Sequence, residues 1–152
     1  RSIMEDTEEE EMEDILSEEE QEELRHLLEA QECVPIQCQQ ELSGVWYHSE
    51  FWDSELRILF LMNFRVTVSR VCFIRQRIGT MTRVLELLKH FCRCHAVQEI
   101  LIQSVETKEM AAWCSKNGFT PDPRATFEFG GVILGDYIMK INPETEGNLS
   151  EI

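Results

Sequence analysis

The residues of this chain whose types and spacing point most directly to chemistry are Arg75-Gln76-Arg77-Ile78-Gly79-Thr80, a basic turn with one glycine lying between a strand pattern and a helix pattern. A strand that enters a helix through a glycine turn leaves the unpaired amides of the helix's first turn pointing outward, with the positive end of the helix dipole behind them; that is an anion site. The charge distribution agrees. From Arg65 to Arg93 there are seven basic residues and one acid, Glu86, in a protein of formal net charge −15. A basic island in an acidic chain calls for an anionic partner, although the same arginines could simply solvate a strand edge and a helix face. The other chemistry-bearing cluster is His90-Phe91-Cys92-Arg93-Cys94-His95. Cys92 and Cys94 diverge by about 200° on a helix, so this spacing argues for reduced thiols at a helix end and against a metal site.

The elements that must position the turn are legible. Val66, Val68, Val71, Phe73 and Ile74 form a β-branched and aromatic run, with polar Thr67 and Ser69 alternating through its first half. Met81, Val84, Leu87, Leu88 and Phe91 recur at three- and four-residue steps, the spacing of one buried helix face. Leu56 to Met62 reads as a strand that pairs with the first through an Asn63-Phe64 connector. Residues 99–105 read as a second buried strand, and Glu106 to Asn117 as a second helix with Met110, Trp113 and Cys114 on one face. Gly118 fits the left-handed position that ends it. Further upstream, Ser17 with Glu20 three residues on is a capping box for a helix carrying Leu24, Leu27 and Leu28. Between Glu32 and Glu55 the pattern is poor. Trp46, Tyr47, Phe51 and Trp52 cluster there and are expected in the core, with a groove wall as the other reading.

This order of elements resembles the core of the GCN5-related N-acetyltransferase (GNAT) superfamily over about residues 55 to 142. Three places carry the resemblance: Gln76-Arg77-Ile78-Gly79-Thr80-Met81, similar to the family's pyrophosphate turn but with Met81 at its last anchor; Trp113-Cys114-Ser115-Lys116-Asn117-Gly118-Phe119, similar to the end of its last helix; and Tyr137 to Ile141, similar to its closing strand. More narrowly, the chain is similar to the acetyltransferase domains attached to PHD fingers in nuclear proteins. The resemblance implies an α+β fold with a mixed, mostly antiparallel central sheet, splayed at the cofactor site and flanked by helices. It implies acetyl-CoA as cosubstrate, with its pantetheine arm along Val71, Cys72 and Phe73 and its pyrophosphate on the turn from Arg75, Gln76, Arg77, Ile78 and Gly79 to Thr80 and Met81. An amine would attack the thioester directly. Cys114 replaces the family's tyrosine as the general acid, a thiol pKa near 8.5 suiting that role. The strand offers no carboxylate as general base, which leaves Glu50, Asp53 and Glu55 as the candidates. The implied acceptor is a basic protein or peptide, a histone being one example. The departures at Met81 and Cys114 leave open a catalytically inactive GNAT-like fold that serves as an interaction module.

Composition bounds the rest. A chain of 152 residues with 43% hydrophobic content is one domain with tails, and no apolar run approaches the 18 residues of a membrane span. Residues 1–32 hold fifteen acids against two arginines, so the domain proper is nearly neutral. Residues 1–16 read as a disordered acidic lead-in, 17–142 as the single domain and 143–152 as a tail. The acidic run either attracts a basic partner or only aids solubility. Nucleic acid is an unlikely ligand because that run would compete for the basic island. The six cysteines show no CxxC pair, and Cys72 and Cys114 are expected to be buried and reduced. The expected location is intracellular, nuclear or cytoplasmic.

Overall fold

A computed structural model describes residues 16–141; the acidic run and the tail from residue 143 lie outside them. Helix α1 (Glu18–Glu32) starts at the expected capping box, with Ser17 Oγ accepting from the Glu20 amide and Glu20 accepting from the Ser17 amide. Strands β1 (Gln37–Glu41), β2 (Gly44–His48), β3 (Glu55–Leu61) and β4 (Arg65–Cys72) follow, then α2 (Thr80–Cys94), β5 (Glu99–Val105), α3 (Lys108–Lys116), β6 (Thr120–Phe129) and β7 (Val132–Lys140). The strands form one seven-stranded sheet in the order β1-β2-β3-β4-β5-β7-β6. Only β4 and β5 run parallel, as a crossover through α2 requires. The fold is the expected α+β, mostly antiparallel sheet with flanking helices.

One apolar cluster holds the layers together. Val84, Leu85, Leu88 and Phe91 of α2 pack with Leu24 and Leu28 of α1 against Val66 and Val68 of β4 and Ile100 and Ile102 of β5. Each such side chain contributes about 1.5–3 kcal/mol on burial. Strand β5 is buried at consecutive positions from Glu99 to Ile102, so it is covered on both faces.

The feature that makes a site is the parting of β4 and β5. They pair only from Arg65–Glu99 to Val68–Ile102. The next residue of β4, Ser69, is bulged out of the β3 pairing, because Arg57 faces Arg70 while Ile58 faces Val68. The next residues of β5, Gln103 and Ser104, are bulged out of the β7 pairing. Ser104 takes a left-handed backbone (φ 58°), and its amide donates to Asp136 Oδ1 at 2.9 Å. A bulge bends its strand and increases local twist. Two bulges at one level turn the strands apart, leaving the facing edge of β4 beyond Val68 unpaired.

At the closed end the strands are riveted. Glu99, 1% exposed, sits in register with Arg65 of β4 and Lys140 of β7 and accepts from both, at 2.5 and 2.6 Å. Burial pushes its carboxyl up, but the hydrogen bonds from Lys140 and Arg65 outweigh this and hold it below the ordinary range.

Several local expectations change. Strand β4 ends at Cys72, so Phe73 and Ile74 belong to the turn. Cys72 is exposed because it stands where the sheet opens, whereas Cys114 is buried. Of the aromatic cluster only Tyr47 is core; Trp46 stacks on His48 and donates to Glu55, while Phe51 and Trp52 are 81% and 56% exposed on the β2–β3 loop. Polar β1 lacks a hydrophobic alternation because it is an edge strand.

Glu99→Gln is expected to lower stability at pH 7 by about 1–3 kcal/mol, the cost of weakening a buried acceptor of two cations. Because the folded carboxyl lies below its ordinary value, wild type keeps this contribution above about pH 4.5 and loses it as pH falls through the depressed folded value. Urea unfolding of both proteins from pH 7 to pH 3 should therefore show their difference shrinking toward acid.

Candidate functional site

The gap between β4 and β5 continues into a cleft of about 480 Å³. One wall is the end of β4, the basic turn and the first turn of α2. The other is the end of β5 and the start of α3 through Glu106, Glu109, Met110 and Trp113. Trp113 Nε1 donates to Thr82 Oγ1 at 3.0 Å and ties the two helices across it.

The turn has the geometry of an anion cradle. Gly79 caps α2 with φ 84°, a conformation that L side chains rarely adopt, and no atom lies within 4 Å of where a Cβ would stand. It supplies no side-chain cap, so helical geometry leaves the amides of residues 79–82 without intrahelical acceptors. Arg77 is also left-handed, at φ 65°. Residues in such conformations persist where the surroundings over-determine them, commonly at ligand sites.

What fixes the turn is the C-terminal end of α1. Glu32, 1% exposed, accepts from the amides of Ile74 (2.7 Å) and Arg75 (3.1 Å) and from Ser54 Oγ. Gln31 Nε2 donates to Thr80 Oγ1 at 3.0 Å, and Arg75 Nη1 donates to the Gln31 carbonyl at 2.9 Å and to Cys33 Sγ at 2.8 Å. The entry of the turn is thus turned inward onto Glu32, while Arg77, Gly79 and Thr80 line the cleft.

The residues assigned to the cofactor from sequence come together here: Val71, Cys72 and Phe73 on the strand side, and Arg75, Gln76, Arg77, Gly79, Thr80 and Met81 on the turn, all line the cleft, while Ile78 does not. Met81, at the turn's last anchor, packs partly against the core and also lines the cleft.

The acid–base candidates fare differently. Cys114 is 0% exposed, does not line the cleft, and burial pushes its thiol up to about 12. The helix places Trp113 and Met110 toward the cleft and turns Cys114 into the core, so the expected general acid is not positioned for that role. Glu50 and Asp53 are exposed on the β2–β3 loop; Glu55 accepts from Trp46 Nε1 and Arg70 Nε. None of the three lines the cleft, but two border it through Cys72, whose thiol is raised first by partial burial and then by the charges of Asp53 and Glu55. Sequence reasoning missed Glu32, Ser104 and the facing-wall acids Glu106 and Glu109. The only signal for Glu32 was an acid at the end of an amphipathic helix, one among fifteen acids in its segment.

No protein-family model and no curated protein matches this sequence. Among solved structures, the chain is similar to a GNAT family acetyltransferase from Elizabethkingia anophelis solved with acetyl-CoA bound (12% identity, TM-score 0.45, covering 64% of this chain and 76% of that one). It is similar to Ard1 from Thermoplasma volcanium (10% identity, TM-score 0.48, 76% of each chain). It is also similar to an acetyltransferase of the GNAT family from Staphylococcus aureus (12% identity, TM-score 0.45, 84% of this chain and 81% of that one). At such identities these likenesses transfer no residue roles. No helix among the described residues is long and apolar enough to cross a membrane.

Iodoacetamide at pH 8 should modify exposed Cys33, Cys72 and Cys94 in the folded protein and spare Cys114 and Cys92 until it is unfolded, as read by peptide mass spectrometry. Gly79→Ala should cost about 1–2 kcal/mol in urea unfolding, purely through the left-handed backbone.

Proposed function

We propose that this protein is an acetyl-CoA-dependent N-acetyltransferase that transfers the acetyl group to an amine by direct attack, the acceptor being a lysine of a basic protein or peptide in the nucleus or cytoplasm. The observation that carries the proposal is the continuity of an unpaired strand edge with a glycine-led helix N-terminus, within one cleft. An extended arm with amide groups can pair along the β4 edge as an added strand. A pyrophosphate at its far end would then meet the amides of residues 77–80, with further charge from Arg75 and Arg77.

In the proposed reaction a neutral amine attacks the thioester carbonyl near the point where the strands part. The new C–N bond forms as the C–S bond breaks, and the proton lost by nitrogen balances the one gained by the departing sulfur. Backbone amides of the β4 edge polarise the carbonyl oxygen. Asp53 and Glu55, beside Cys72 on the β4 side, and Glu106 and Glu109, which line the facing wall, are the candidates to take the amine's proton, directly or through water. The burial of Cys114 favours return of a proton to sulfur from water in the cleft. The exposed acids of the β2–β3 loop and the acidic segment before α1 favour a cationic acceptor.

Burial of Cys114 also favours a second reading, a fold that binds CoA or a protein partner without turnover. Thiol release from acetyl-CoA with a panel of lysine peptides separates the two. The enzyme reading expects peptide-dependent release, abolished in Gly79→Glu and retained within about twofold in Cys114→Ala. Absence of release with every peptide, with CoA still bound, would favour the silent fold.

A further inference from the structure

Glu32 joins the end of α1, the β2–β3 loop and the turn after β4 at one buried carboxylate. Ile74 and Arg75, whose amides it accepts, begin the turn on the cleft side. Ser54, whose hydroxyl it accepts, closes the β2–β3 loop; that loop leads into Glu55, which faces Cys72 across the β3–β4 pair. The loop carries exposed Phe51, Trp52 and Asp53 at the end of the sheet where the cleft opens. A packed core does not need such a group. A buried carboxylate is costly to desolvate, and an apolar side chain at this helix end would leave two amides and a hydroxyl without an acceptor. Its three donors make the position of the turn and the position of the loop depend on one another.

We propose that Glu32 is a positioning residue that couples the two sides of the site, so that filling the turn with an anionic ligand also fixes the β2–β3 loop against which the acceptor docks. The proposal rests on the reading of the cleft as a CoA site and assigns the link between its two sides to Glu32. The carboxylate also withholds the first two amides of the turn from ligand, which leaves the pyrophosphate to the amides that follow. Ser54 carries the coupling outward. Removing its hydroxyl unties the loop from Glu32 and leaves the bonds from Ile74 and Arg75 to Glu32 in place. Beside the β3–β4 ladder that begins at Glu55–Cys72, the Ser54–Glu32 bond is, among the described residues, the one hydrogen bond that ties the loop to the carboxylate holding the turn.

The test is hydrogen–deuterium exchange of the full chain, with and without CoA, in wild type, Glu32→Gln and Ser54→Ala, alongside calorimetric titration of CoA. Without ligand, Glu32→Gln should speed exchange in both 49–54 and 74–82, and Ser54→Ala in 49–54 alone. With CoA, wild type should slow exchange in both segments. Ser54→Ala should bind CoA as wild type does and slow only 74–82, a split that a merely structural hydroxyl would not produce. Glu32→Gln should weaken CoA by about ten-fold, one lost charged acceptor at the turn. The coupling is overturned if Glu32→Gln leaves exchange of 49–54 unchanged, or if CoA still protects that loop in Ser54→Ala. A wild type that binds no CoA would remove the functional reading, while the ligand-free comparison would still decide whether Glu32 holds the two segments together.

Discussion

The site depends on one constraint of sheet geometry: β4 and β5 must begin paired and end apart. Parallel strands joined by a helix pair along their full length unless something turns them. Here the turning comes from two bulges at the same level, Ser69 on β4 and Gln103–Ser104 on β5, each placed immediately after the last shared pair. Both strands keep their outer partners, β4 with β3 as far as Cys72 and β5 with β7 as far as Val105, so the opening costs the sheet only the inner ladder. The Arg65–Glu99–Lys140 ladder at the closed end keeps the separation local.

The open edge would be a liability without a use, since unpaired strand groups invite pairing with other chains. The surrounding elements shape it into the slot proposed above for CoA. Trp113 and Thr82 link the walls, α2 brings its N-terminus to the mouth, and Glu32 sets the entry of the turn from outside. Arg75 and Arg77 share the cleft lining with Glu106 and Glu109, so the proposed recognition of an anion would rest on oriented amides more than on net charge.

How much of this the sequence disclosed follows from the range of the interactions involved. The turn, β4, α2 and the Gly118 cap are written in local periodicity and in residues with special backbone preferences, and they were legible. The cleft residues from Val71 to Met81 were legible for the same reason, because one continuous segment supplies them. Cys114 is buried as its helix pattern led one to expect, and the general-acid role came only from the resemblance; one helical position decides between the cleft, where Trp113 stands, and the core. Phe51 and Trp52 defied the tendency of aromatics to be buried because their loop closes through polar Ser54. Glu32 and the Ser104–Asp136 pair are contacts between segments far apart in the chain, and no spacing within one segment announces them.

The measurement that bears most directly on this account is a backbone amide chemical-shift map of the ¹⁵N-labelled protein titrated with CoA. The account predicts saturable shifts concentrated along the open edge of β4 from Ser69 to Phe73 and in the turn through Thr82, with β1, β2 and the closed end from Arg65 to Val68 unmoved. Shifts confined to other surfaces, or none with CoA in millimolar excess, would contradict the claim that the parting of β4 and β5 is a cofactor slot.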